Sequence, residues 1–212
     1  MPTSDPTLMP ALARALAADS APREQAQIDD RILDAALELV SAYGPRRTSM
    51  DEIAERAGVA RATIFRRFGS KDGVIDRLFT REVQRFLGAM SETIAAAPDP
   101  TASIVETFVA VVRYVSSHPL LDRLARVEPQ ILIESLRTGS PSPFEVGCMF
   151  VADRLRSGQR RGAIPARDAD QIADVMVRLT LSYLLIPSLL VDLENDEQMR
   201  TFARATIAPL AT

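Results

Sequence analysis

Residues 48–71 read Thr48-Ser49-Met50-Asp51-Glu52-Ile53-Ala54-Glu55-Arg56-Ala57-Gly58-Val59-Ala60-Arg61-Ala62-Thr63-Ile64-Phe65-Arg66-Arg67-Phe68-Gly69-Ser70-Lys71. Their spacing is that of a helix-turn-helix. Ser49 followed by Glu52 is a capping box, which satisfies orphan amides in the first turn and starts a short helix running to about Ala57. Gly58 then supplies the left-handed turn. A second short helix runs from Arg61 to Arg67 and stops at Gly69, with Ser70 placed to cap the next one. In this reading Ile53, Ala54 and Ala57 face inward, Val59 fills the corner, and Ile64 and Phe68 pin the second helix.

The opposite face of that second helix carries Arg61, Thr63, Arg66 and Arg67, with Ser70 and Lys71 following. From Arg46 to Lys71 there are seven basic and three acidic side chains, a local +4 in a chain of formal net charge -3. Positive potential is therefore gathered at one end, which is the footprint of a nucleic-acid partner. Helix N-termini at Ser49 and Ser70 add amides suited to phosphate oxygens. All basic residues but one are arginine, and Lys71 is the single lysine. A recognition helix this short offers few base contacts, so operator specificity calls for two copies in a two-fold dimer, spaced by about one helical turn of DNA or a multiple.

Upstream, Ile28, Ile32, Ala35, Ala36, Leu39 and Val40 recur at helical spacing from Arg23 to Tyr43, and Gly44-Pro45 ends that helix. Residues 1–22, with four prolines and no capped amphipathic period, are expected to form a flexible arm. Downstream, Val74, Leu78, Val83, Phe86, Leu87 and Met90 predict one long helix from Ser70 to about Ala97, on the order of 40 Å. Pro98-Asp99-Pro100 breaks it. Further helices are expected at about 101–117, 119–126, 129–138, 143–161, 168–192 and 196–208. Thr101, Ser142, Asp168 and Asn195 stand at N-cap positions, and Pro119, Pro129 and Pro143 at first helical positions. The fold expected is all-α: residues 23–70 form a three-helix DNA-binding domain, joined by the long helix to a helical domain over 71–212.

The run Asp51-Glu52-Ile53-Ala54, Ala57-Gly58-Val59, Thr63-Ile64-Phe65 and Phe68-Gly69-Ser70-Lys71 resembles the tetracycline repressor (TetR/AcrR) family. The resemblance holds almost position by position over roughly residues 28–79. It implies base or base-adjacent contacts for Arg61 and Thr63, base-edge and phosphate contacts for Arg66 and Arg67, and a phosphate contact for Lys71. Thr48 and Ser49 match backbone-contacting positions. Phe65 departs from the family's usual tyrosine; it keeps the ring and loses the phosphate-reaching hydroxyl, leaving a sugar or thymine methyl as its partner.

The resemblance also implies an effector-binding and dimerisation role for the second domain. There a cavity for a small, largely apolar effector would draw on Phe86, Met90, Phe108, Val112, Phe144 and Met149. The helices at about 143–161 and 168–192 would form an isologous homodimer interface, with Phe150, Val151, Leu155, Val175, Leu179, Tyr183 and Ile186 as its apolar patch. The function expected is a transcription regulator, a repressor released from palindromic double-stranded operator DNA by that effector. The alternatives are an architectural DNA-binding protein without an effector, which would show weak sequence preference, and a helical interaction protein without DNA affinity.

Composition narrows the remaining classes. Hydrophobic residues make up 47% and charged residues 25% of 212, which is enough for a real core and excludes disorder throughout. One cysteine, Cys148, and one histidine, His118, leave no intramolecular disulfide and make neither a metal site nor a cofactor expected. Without convergent acid, base or nucleophile groups, or a glycine-rich phosphate loop, catalysis is not expected. Cys148 reads as a small buried hydrophobe, and His118, just before Pro119, as a helix-start contact. Arg156, Arg160 and Arg161 complement a helix C-terminus. The longest apolar run, 179–193, is interrupted by Ser182, Pro187, Ser188 and Asp192, so it reads as a buried helix rather than a membrane span. No secretory start is evident, and a cytoplasmic location is expected.

Overall fold

The computed structural model describes residues 23–137, 140–186 and 188–212, so the arm expected over 1–22 lies outside the described residues. Among those described every regular element is helical: α1 (Arg23–Tyr43), α2 (Met50–Ala57), α3 (Arg61–Phe68), α4 (Lys71–Ala96), α5 (Pro100–Ser117), α6 (Pro119–Arg126), α7 (Pro129–Arg137), α8 (Pro143–Arg160), α9 (Ala169–Leu185) and α10 (Asp196–Phe202). The chain separates into two compact units whose border falls between Arg85 and Phe86, inside α4.

The first unit is built on the periodicity of α1. Ile32, Ala36, Leu39 and Val40 are buried, as are Ile53, Ala54 and Ala57 of α2, Ile64 of α3, and Val74 and Leu78 of α4. Ile64 is the single buried side chain of the short α3, so apolar contact at that one position seats the helix. Charge ties α4 to α1: Arg81 Nη1 lies 2.8 Å from Asp34 Oδ1 and 3.6 Å from Asp30 Oδ1. The Arg81 Nε donates to Glu82 Oε1 at 2.9 Å, and both side chains are nearly buried.

The second unit has two apolar clusters. In one, Val105, Phe108, Val109 and Val112 of α5 pack with Met199, Ala203, Ile207 and Ala208 at the C-terminus. Phe202 stands 5.7 Å from Phe108 and 4.6 Å from Tyr183 between ring centroids, completing an aromatic trio. In the other, Ala152 and Leu155 of α8 meet Ala169 and Ala173 of α9; small side chains let these two helices lie close. Ion pairs bind the C-terminal helix to α5, with Arg200 Nε 3.0 Å from Glu106 Oε1 and Arg113 Nε donating to Asp196 Oδ1 at 2.7 Å.

Several helix ends depart from expectation for identifiable reasons. The helix expected to reach residue 192 stops at Leu185, and Ile186 is extended at φ -124, ψ 116. Proline at position 187 disfavours helical backbone in the residue before it. Asp99, not Thr101, caps α5, accepting from the Ala102 amide at 2.8 Å, with Pro100 occupying the first helical position. The last helix gives way after Phe202 to a wider π turn over Ala203–Ile207 and a 3₁₀ turn over Ala208–Leu210; Pro209 cannot donate to a continuing helix. Ser142, Asp168 and Asn195 cap as expected, and His118 accepts from the Leu121 amide at the start of α6. No described helix is long and apolar enough to cross a membrane.

Candidate nucleic-acid interface

Local chemistry sets the frame of α2 and α3. Ser49 accepts from the Glu52 amide at 3.2 Å, and its own amide donates to Glu52 Oε2 at 2.8 Å, the reciprocal capping box. The Ser49 hydroxyl also donates to that oxygen at 2.7 Å. Hydrogen bonds from this hydroxyl, then from the amide, hold the Glu52 carboxyl below its ordinary value. The cap is thus intact above the usual carboxylate range and weakens as pH falls through the depressed value. Gly58 closes α2 at φ 64, ψ 39, a left-handed conformation that costs a glycine little. Thr48 is buried, and its hydroxyl donates to the Gly44 carbonyl at 3.0 Å, bracing the turn after α1.

On α3 the cationic side chains divide by environment. Arg61 and Arg66 are exposed, and Phe65 between them leaves 63% of its surface open, a large value for an aromatic ring on a folded unit. Thr63 is half-buried beside them and Ser70 is exposed. Arg61 Nη1 lies 2.9 and 3.0 Å from the two carboxylate oxygens of Asp51 on α2. Arg66 has no ion-pair partner among the described residues.

Arg67 is different. It is turned back onto α1, where its Nε donates to Asp29 Oδ1, with only 18% of the side chain exposed. The Asp29 hydrogen bond raises the guanidinium further above its usual value, so it stays charged under all folded conditions. Lys71 Nζ donates to the Pro45 carbonyl at 3.1 Å. The Ser70 hydroxyl accepts from the Gly73 amide at 3.1 Å and caps α4.

Arg67→Ala should therefore cost about 1 to 2 kcal/mol of stability through loss of a partly buried charged hydrogen bond. Arg66→Ala should stay within about 0.5 kcal/mol. Paired thermal melts check this, and equal midpoints would contradict the brace.

Sequence reasoning missed Asp29 and Gly73. Asp29 is separated from Arg67 by 38 positions, and a lone carboxylate gives no periodic signal. A Cβ at Gly73 would lie 2.1 Å from the Phe68 carbonyl oxygen, so α4 begins hard against the end of α3. Only the absence of a side chain permits that approach.

In the second unit the residues expected to line a pocket separate by burial. Met90, Phe108 and Val112 are packed core. Phe86 meets Tyr114 edge-on at 5.3 Å, and Phe144 lies under the Arg178 guanidinium at 4.8 Å; Met149 is half-buried. A depression of about 400 Å³ opens beside the aromatic trio, lined by Leu190, Val191, Glu197, Gln198, Thr201 and Phe202.

Of the apolar positions expected at a dimer interface, Leu155 is buried within the unit and Tyr183 packs into the aromatic trio. Val175 and Ile186 are 42% and 65% exposed, while Phe150, Val151 and Leu179 are half-covered. Arg156 pairs with Asp170, joining α8 to α9, and Arg161 donates to Ser157 at 2.6 Å. Cys148 is half-buried, and burial, then Asp174, pushes its thiol up to about 11. Among the described residues no cluster of His, Cys, Asp or Glu is arranged to hold a metal ion.

Comparison with known proteins agrees with this geometry. Residues 32–78 match the family described as bacterial regulatory proteins, tetR family. Over 155 residues, 73% of this chain and 80% of the relative, the sequence is 25% identical to the HTH-type transcriptional regulator YvkB of Bacillus subtilis (strain 168). A crystal structure assigned to the TetR family, from Mesorhizobium loti MAFF303099, superposes with a TM-score of 0.68 at 17% identity, covering 90% of this chain and 97% of that one. AibR, crystallised with isovaleryl coenzyme A and operator DNA, superposes with a TM-score of 0.58 at 16% identity, covering 86% and 98%. The segment that carries the helix-turn-helix, residues 32–78, is thus a tetR-family regulatory domain, and the helical fold beyond it is shared with solved structures assigned to that family.

Proposed function

We propose that the protein is a homodimeric repressor that grips a palindromic operator with two copies of α3 and is released by a small, largely apolar effector. One observation carries the reading. Arg61, Phe65 and Arg66 form an exposed face on a helix whose opposite side is anchored by the fully buried Ile64. Guanidinium forks suit base edges and phosphates, and an open aromatic ring between them suits sugar or a thymine methyl. Arg67 serves this face as a brace to α1, and Lys71 with the amides of the first turns that follow Ser49 and Ser70 would hold phosphate oxygens.

Residues 71–212 supply the effector and dimerisation functions. The helices α8 and α9, with exposed Val175 and Ile186 and the half-covered Phe150, Val151 and Leu179, offer the apolar surface for a two-fold partner. The apolar core around Phe108 and Val112 is the ground on which an effector would act. AibR, of similar fold, binds an acyl coenzyme A and operator DNA together, which supports pairing both activities in one architecture. An effector need only favour a DNA-incompetent state by a few kcal/mol to release the operator. The protein acts on DNA in the cytoplasm.

Separate alanine variants at positions 61 and 71 test the division of labour. Arg61→Ala should lose about 1 to 3 kcal/mol of discrimination at one operator position. Lys71→Ala should weaken binding to every duplex alike and reduce the salt slope by about 1. Mobility shifts over a salt series read both, and indistinguishable behaviour of the two variants would contradict the assignment.

A further inference from the structure

We propose that Asp51 is a specificity-determining residue, orienting Arg61 towards a guanine edge and keeping phosphate away from it. The inference rests on the reading that α3 faces DNA bases. Arg61 is the first residue of α3, whose N-cap, Ala60, makes no side-chain cap, and whose first turn carries no acid. A cation there sits at the positive end of the helix dipole, and the helix itself offers nothing to hold it.

The compensating charge comes from α2. Asp51 stands in that helix's own first turn, where a carboxylate is favoured independently of Arg61. Its neighbour Glu52 is occupied by the Ser49 cap, so Asp51 is the carboxylate left to reach across. Both its oxygens bind the same nitrogen, Arg61 Nη1. Among the described residues Nε and Nη2 have no partner. These two donors form one edge of the guanidinium fork, the edge that matches guanine O6 and N7.

The pair is exposed, with 64% and 68% of the two side chains accessible, so it forms and breaks readily. Its consequence lies in what it admits. A phosphate approaching Arg61 meets the Asp51 charge as well, whereas a guanine edge is a neutral acceptor and incurs no such repulsion. Asp51 thereby lowers affinity for arbitrary duplex while leaving the correct base pair attractive. Arg66, which has no partnering carboxylate among the described residues, would grip DNA without that filter.

The test is a double-mutant cycle on the full-length protein. The probes are a duplex selected by the wild-type protein from a random pool and a shuffled duplex of the same length and composition. Asp51→Asn should tighten binding to the shuffled duplex by about fivefold. It should lower the selected-to-shuffled affinity ratio by about tenfold, with the loss concentrated at one G·C pair per half-site. Asp51→Glu should keep most of the ratio. In an Arg61→Ala background, Asp51→Asn should change the ratio by less than about two-fold. An Asp51→Asn effect that persists undiminished without Arg61 would show only a general charge and overturn the proposal, as would an unchanged ratio. A wild-type protein that failed to distinguish the two duplexes would instead defeat the underlying DNA-reading assignment, and this inference with it.

Discussion

Combining Arg61→Ala with Arg66→Ala is expected to lower operator affinity by at least about a hundredfold at physiological salt. Each substitution removes a guanidinium from the open face of α3, and in the proposed two-fold assembly the loss would double to four per operator. At about 1 to 3 kcal/mol per specific contact the summed effect is large, and the salt dependence should flatten as fewer counterions are released. The fold should hardly notice. Both side chains are exposed, and the Arg61 pair with Asp51 is a surface contact worth at most about 1 kcal/mol. An unchanged melting midpoint with lost mobility shift is the predicted combination. Full retention of binding would remove α3 from the interface.

Gly73→Ala carries the second large effect, through geometry rather than charge. The new methyl would sit 2.1 Å from the Phe68 carbonyl oxygen and 3.2 Å from its carbon. Those are backbone atoms, which cannot swing aside, so the end of α3 and the start of α4 must separate. The side chains next to that junction, Val74 and Leu78, are fully buried and would be dragged with it. Overpacking of this kind costs about 1 to 3 kcal/mol. The same shift displaces Lys71 and the C-terminal end of α3, so operator affinity should fall at least about tenfold, since small misplacements disable a preorganised site. Gly88→Ala in the same helix is the control. A Cβ there meets nothing within 4 Å, and alanine should stabilise the helix by up to about 1 kcal/mol. If Gly73→Ala proved as benign as Gly88→Ala, the close junction would not be a constraint on function.

The helix-turn-helix was legible in sequence because its determinants are local. The Ser49–Glu52 box, the left-handed Gly58 and the inward Ile53 and Ile64 all lie within a few residues of what they control. Long-range charge pairing is not written that way. Asp29 with Arg67, and Asp51 with Arg61, join different helices, and nothing in their spacing marks them as partners. The clearest result is that Arg66 and Arg67, adjacent and identical in sequence, do different things: the rotation of about 100° between successive helical residues directs the first to solvent and the second to α1.

The end of α9 shows the complementary weakness of periodicity. Apolar residues continue to Leu193, so the pattern suggests a helix where backbone chemistry at Pro187 stops one. Leu189 and Leu190 are then left almost fully exposed instead of buried. At the start of α5, Asp99 and Thr101 are both capping residues beside Pro100, and the choice of Asp99 follows from proline's preference for the first helical position.

Selecting duplexes with the purified full-length protein from a random-sequence pool addresses the central claim most directly. The account predicts enrichment of an inverted repeat whose half-site centres lie about 34 to 36 Å apart, or a multiple of that, along one face of the DNA. A bound pool indistinguishable in sequence from the input would contradict it.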